Sequence, residues 1–220
     1  KEHTLFIRKS RLAQDNYRNF FWKYSIQRFY YLNDFLEKTN LTNIFHLEND
    51  VLLFQDLKKI LKEVKSHNLA CIRDNVDRVI GSLIYIKSKK ISKKIVKISN
   101  NYLNQNDMKI LSHLDKKISN TINLPIGEDL DFIKRSNNYA KIKGIPFIFD
   151  AAAIGQFIDG PHRKKLVSKI FFKIKNLFKK NDGFINTQTK LNIYNWKIIW
   201  KNKKPYRQIN NRLLPIANLH

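Results

Sequence analysis

Three ionisable side chains, His46, Glu48 and Asp50, take alternate positions in an otherwise apolar stretch, "NIFHLENDVLLFQDL", which runs from Asn43 to Leu57. On an extended chain residues i, i+2 and i+4 leave by one face, so these three point one way while Phe45, Leu47 and Val51 point the other. Carboxylate oxygens suit hard divalent cations such as Mg2+ or Mn2+, and a site with one or two carboxylates leaves positions for phosphate oxygens. The acids follow a strand and precede a turn, which is where open α/β sheets place ligands. A plainer arrangement is open from the same residues: Glu48 and Asp50 can be a helix-capping pair and a surface acid, with Asp50 near the start of the next helix. His46 reads as a packed strand histidine rather than a ligand.

The elements that must position these groups follow from hydrophobic periodicity. "DNYRNFFWKYSIQRFYYLNDFLEKTNL", Asp15 to Leu41, carries Phe21, Tyr24, Phe29, Leu32 and Leu36 at near-helical spacing, which predicts an aromatic-rich helix. A short strand over Asn43 to Leu47 comes next, and helical spacing resumes in "LLFQDLKKILKEVKSHN". "LACIRD" and "RVIGSLIYIKS" read as strands, and Gly81 in the second either weakens its start or permits close backbone approach. Helices are expected around Lys89 to Asn101 and Gln105 to Lys117, the second capped by Asn104 or Asn106.

Beyond them "NLPIGEDLD" is a turn-rich loop, and "IPFIFDAAAIGQFIDG" is a strand running into small residues. "RKKLVSKIFFKIKNLFKK" is a basic amphipathic helix, and the residues from "GFINTQTK" onward have the strand and turn character of a sheet extension. Helices and strands alternate, so the class is α/β with a mixed sheet flanked by helices.

The chain has 220 residues, enough for one domain with a sizeable core and tight for two, so a single domain over 1–220 is expected. Hydrophobic residues at 43% with only 6 Gly and 5 Pro exclude a disordered chain. The formal charge of +24 raises nucleic acid or an anionic membrane as partner. Lys, Ile and Asn dominate together, however, and general compositional drift accounts for the charge equally well. A lone cysteine, Cys71, cannot close an intramolecular disulfide and belongs in a core strand, which fits a reducing compartment.

No uncharged apolar run approaches the roughly 18 residues of a spanning helix, and "KEHTLFIRKS" lacks the apolar centre of a signal peptide. A cytoplasmic location is expected. The basic helix over 163–180 could give a peripheral contact at the inner face of a membrane. The start at Lys1 and the end on "LPIANLH" are expected to be the clipped ends of a fragment.

In order along the chain, several segments resemble GT-A glycosyltransferases. "FFWKYSIQRFYYLNDFLEKTNLTNIFHLENDVLLFQDL" resembles the stretch that leads into the acidic DxD motif, written here Glu48-Asn49-Asp50. "RVIGSLIYIKS" looks like the strand that follows, and "NDMKIL" is similar to the acid-led helix start that comes next. "FIFDAAAIGQFIDG" and "LPIANLH" resemble a group of bacterial and viral glycosyltransferase-like proteins. The resemblance implies a GT-A, Rossmann-like sheet lacking its first strand or strands in this fragment. It also implies a Mn2+ or Mg2+ ion on Asp50 and His220, with Glu48 meeting the ion, its water or the donor ribose. By the same resemblance Arg28 faces the diphosphate, Gln156 positions polar groups, and Asp107 and Asp150 are the acid or base near the acceptor. The partners implied are a nucleotide-diphosphate sugar and a glycan or lipid-linked acceptor, with no nucleic acid.

The function expected on this basis is metal-dependent transfer of a sugar, because a divalent cation offsets the charge that develops on a leaving diphosphate. A rival from another class is a basic, non-catalytic nucleic-acid-binding protein, in which lysines meet phosphates and aromatic rings stack on bases.

Overall fold

The computed structural model describes residues 2–16, 20–127, 145–154, 196–209 and 211–220, and all structural statements below concern these. Gln156 and the basic stretch 163–180 lie outside the described residues.

The fold is a mixed α/β arrangement around a four-stranded sheet. Its strands are β1 (Ile44–Leu47), β3 (Leu69–Asn75), β4 (Arg78–Ile86) and β5 (Thr121–Leu124), in the order β1-β4-β3-β5. β4 runs antiparallel to both β1 and β3, while β5 lies parallel to β3. A two-residue strand, β2 (Leu52–Leu53), pairs antiparallel with β9 (Asn218–Leu219). The meander β6 (Lys197–Lys201), β7 (Lys204–Ile209) and β8 (Arg212–Pro215) forms a separate three-stranded sheet.

The pleat explains how β3 serves two cores at once. Leu69 and Cys71 face a layer of helices, while Ala70 and Ile72 face the opposite side. The helical layer holds α3 (Phe21–Thr39), α5 (Lys89–Asn101), α6 (Asp107–Ser112) and α7 (Leu114–Lys117); Phe29, Ile91, Ile95, Ile98, Leu111 and Leu114 supply its apolar side. Tyr30 Oη donates to Asn100 Oδ1 at 2.7 Å and Lys89 Nζ to Asn40 Oδ1 at 2.6 Å, so the second half of α3 runs antiparallel along α5. Outside this pair sit α1 (Glu2–Lys9) and α2 (Arg11–Gln14), fastened by the fully buried Phe6 against Ile26, Tyr30 and Val96. On the other side of the sheet α4 (Leu57–Val64) packs Ile60 and Val64 against Phe147, Phe149 and Ile216.

Several sequence expectations shift in the structure. Helical spacing from Leu52 is interrupted: Leu52 and Leu53 are a strand, and α4 begins only after Asp56, whose Oδ1 accepts from Lys58 N at 2.8 Å. The helix expected over Gln105 to Lys117 is two short ones with a break at His113. Asn106 is the cap, accepting from Lys109 N at 3.0 Å, whereas Asn104 accepts from Arg11 N at 2.9 Å. β5 covers "TINL", where the turn-rich segment was taken to begin; its partner strand lies fifty residues earlier in the chain, so local pattern could not reveal the pairing. No described helix is long and apolar enough to cross a membrane.

Candidate metal centre

The site grows from an irregularity in β4. Ala70 is opposite Tyr85 and Ile72 is opposite Ile80, so Cys71 alone faces the four residues Gly81, Ser82, Leu83 and Ile84. Such a bulge bends the strand and shifts its facing pattern. Ile80 and Leu83 both point to the same core although three positions apart. β1 follows β4 through Leu47 opposite Leu83, and Glu48 N continues the ladder to Ser82 O at 3.1 Å. The strand therefore carries the Glu48 side chain to the point where β4 presents Gly81.

Glycine leaves the space that the Arg28 side chain occupies. A Cβ on Gly81 would run into the Arg28 guanidinium and come within 3.2 Å of Glu48 Oε1. Through that gap Arg28, from α3, pairs with Glu48 Oε1 on one side and, at 2.6 Å, with Asp107 Oδ2 on the other. Asp107 is the first residue of α6, where a carboxylate also complements the helix dipole.

The second half of the site comes from the far end of the chain. Phe54 N donates to Ala217 O at 2.8 Å, and the β2–β9 rungs place Leu52 opposite Leu219, so His220 arrives beside the acids. Its Nε2 lies 3.0 Å from Glu48 Oε2 and 3.4 Å from Asp50 Oδ1. Asp150 holds this end in place. Its Oδ2 accepts from His220 N at 3.0 Å, and its Oδ1 accepts from Ala153 N and Ile154 N at 2.8 and 2.7 Å. Asn218 Oδ1 closes the connection by accepting from Asp150 N at 3.2 Å. Ala152, inside the turn that Asp150 ties, has φ 53°, a left-handed conformation that these bonds hold.

Electrostatics follow from this packing. Burial pushes the Glu48 carboxyl up, but the hydrogen bond from His220 together with the charge and hydrogen bond of Arg28 outweigh it and leave the pKa at about 2. For His220 burial acts downward, yet the Glu48 hydrogen bond and the charges of Glu48, Asp50 and Asp150 raise it above its ordinary value. His46 is lowered to about 4 by burial and by Arg28, against an opposing pull from Glu48. It packs against Phe29, ring centroids 6.0 Å apart, as expected of a strand histidine.

Glu48, Asp50 and His220 form a group whose ligand atoms all lie within 4.8 Å of one another. Their side chains are 20%, 69% and 19% exposed, so Asp50 offers its carboxylate to solvent while the other two are fixed. The two carboxylates are donors that Mn2+ or Mg2+ accepts, and the imidazole is a donor shared with later divalent metals such as Zn2+.

The remaining candidates fall elsewhere. Arg28 lies behind the acids, and its two terminal nitrogens meet carboxylates rather than an open cleft. Asp107 is buried, and burial pushes its carboxyl up against the pull of Arg28. Asp150 is fully buried with both oxygens on backbone amides. In this arrangement Asp107 supports Arg28, and Asp150 supports the backbone of His220. Asn218 was not singled out from sequence. Its signal was an asparagine inside the apolar run "PIANL"; in the structure it is fully buried and finds a backbone partner in Asp150 N.

Comparison with protein-family models, with curated proteins and with solved structures returns no match.

Proposed function

We propose that the protein is a GT-A-like, metal-dependent glycosyltransferase, moving a sugar from a nucleotide-diphosphate donor to a glycan or lipid-linked acceptor. One observation carries the reading: Glu48 and Asp50, picked out as an acid-x-acid pair, meet His220 from the opposite end of the chain in a group of metal-binding dimensions. The resemblance in "HLEND", "FDAAAIGQF" and "NLH" supplies the reaction class.

Within this reading Asp50, Glu48 and His220 would hold Mn2+ or Mg2+. A bound divalent cation neutralises charge on the leaving diphosphate. The chain's own residues keep the site ready for it. Arg28 keeps Glu48 ionised, and the Asp150–His220 backbone bond fixes the imidazole at the chain end. Asp50, being exposed, is the group that can turn toward an ion without breaking a core contact.

Thermal-shift titration with nucleoside diphosphates, with and without Mn2+, tests the reading. Ligand at about 100 times its Kd adds about 2.7 kcal/mol of stability, which for a chain of this size is a rise in Tm of roughly 5–10 °C. The reading requires that rise to depend on Mn2+ and to vanish in Asp50→Ala. No metal-dependent shift with any nucleotide would defeat it.

The nucleic-acid reading draws on α5, where Lys89, Lys90, Lys93, Lys94 and Lys97 are exposed and no acid occurs in the helix. Tight, salt-sensitive binding of single-stranded nucleic acid, reversed by charge changes on α5, would favour it.

A further inference from the structure

The β6–β7 hairpin has a tip whose composition is costly for the fold alone. Its two loop residues, Asn202 and Lys203, have φ 51° and 60°, the pattern of a type I′ turn, although neither is glycine. On the last rung Lys201 stands directly opposite Lys204, and like charges facing each other across a ladder destabilise it. No acidic residue occurs between Trp196 and His220, so the local sequence offers nothing to offset these charges.

Beside the three lysines Trp200 is 50% exposed. It shares a strand face with Ile198, which packs on the core, and meets Phe54 with ring centroids 5.9 Å apart. Phe54 is half-buried against the core, and Leu52, two residues before it, is 64% exposed. The Phe54–Trp200 contact thus brings the cationic tip against the segment that carries Asp50 and the exposed Leu52.

We infer that this hairpin tip, Trp200 with Lys201, Lys203 and Lys204, docks the protein onto an anionic lipid surface. Tryptophan belongs at the headgroup boundary, where its ring is apolar and its N–H stays hydrated. Lysines bury their stems while their ammonium groups reach the phosphates. A lipid surface fits better than nucleic acid because of Leu52, exposed two residues before the Phe54 that Trp200 meets. Aliphatic groups gain by entering the acyl boundary and have nothing to offer a base or a phosphate. The inference stands independently of the sugar-transfer reading.

Co-sedimentation with vesicles of phosphatidylcholine, alone or with phosphatidylglycerol, tests it on the whole chain. A protein of this charge meets anionic vesicles non-specifically, so the informative comparison is between two variants of equal charge change. Lys201→Glu/Lys203→Glu/Lys204→Glu should lower the partition coefficient about 100-fold, while Lys90→Glu/Lys93→Glu/Lys94→Glu on α5 lowers it less than about 5-fold. Trp200→Ala should cost about 10-fold. The tryptophan fluorescence of the unaltered protein should be quenched by brominated acyl chains, and Trp200→Phe should remove that quenching. Equal losses from the hairpin and α5 variants would overturn the inference. So would a hairpin variant that loses single-stranded oligonucleotide binding while keeping its vesicle binding.

Discussion

Two arginine–carboxylate clusters flank β4, one at its start and one at its bulge, and do opposite things. At the end where β3 turns into β4, Arg78 pairs with Asp74 through Nε at 2.9 Å and through a second, closer contact, with side chains 8% and 0% exposed. At the bulge, Arg28 pairs with Glu48 and Asp107, and Glu48 is 20% exposed. The first cluster turns its charges inward and closes a hairpin. In the second, Glu48 passes its other oxygen to His220, beside an acid that faces solvent. A buried ion pair adds little net stability, since desolvation consumes most of the Coulombic gain. The same pairing becomes a binding site only where a carboxylate keeps an outward lone pair and an exposed neighbour.

The largest effect that could break this comparison is at the closed cluster. Arg78→Ala removes the guanidinium that meets both oxygens of the buried Asp74, and a loss of about 3–5 kcal/mol is expected in urea unfolding. Mn2+ affinity, measured in the fraction that stays folded, should not change.

Next is Gly81→Ala. The new methyl displaces Arg28 from Glu48, at a cost of about 1–3 kcal/mol. Unlike Arg78→Ala, it should also weaken Mn2+ binding, as titration calorimetry would show; unchanged affinity would mean that Arg28 does not govern Glu48.

A pH series separates the groups further. The His46 pKa is depressed to about 4, so its contribution is complete above its unfolded value of 6.5 and is lost as pH falls toward 4. Glu48 is depressed from 4.5 to about 2, so its contribution persists in that window and goes only as pH falls toward 2. His220 is raised, so its contribution is present below 6.5 and is lost as pH climbs through its folded pKa. His46→Leu should flatten the stability profile between pH 6.5 and 4 and leave the stronger acid limb intact.

The smallest stability effect belongs to Asp50→Ala. With the side chain 69% exposed, a change within about 0.5 kcal/mol is expected, together with complete loss of the Mn2+-dependent rise in Tm. A large destabilisation would assign Asp50 a structural role and remove the contrast with Asp74.

Much of the helical layer was legible in the chain. α3 and α5 carry long 3.6-residue apolar patterns; α5 has the expected bounds, and α3 starts at Phe21, six residues later than expected. β1, β3 and β4 were equally clear, because β-branched and aromatic runs between turn residues leave few alternatives. β2 was misread as helix because "LLFQDLKKIL" has apolar residues at helical spacing, and only pairing with β9 draws its first residues into a strand. Asp107 and Asp150 were legible as acids, but their burial was not.

The sequence by itself determined the alternation of His46, Glu48 and Asp50, the special status of Gly81 and the acid-poor stretch from Trp196 onward, because each depends on neighbours a few residues apart. The tertiary structure decided which groups face one another. Glu48 meets Arg28 only because β4 bulges at Gly81, and His220 joins Asp50 only because β9 pairs with β2 and Asp150 anchors its amide. Those contacts link residues remote along the chain, and packing of the two cores, not local propensity, brings them together.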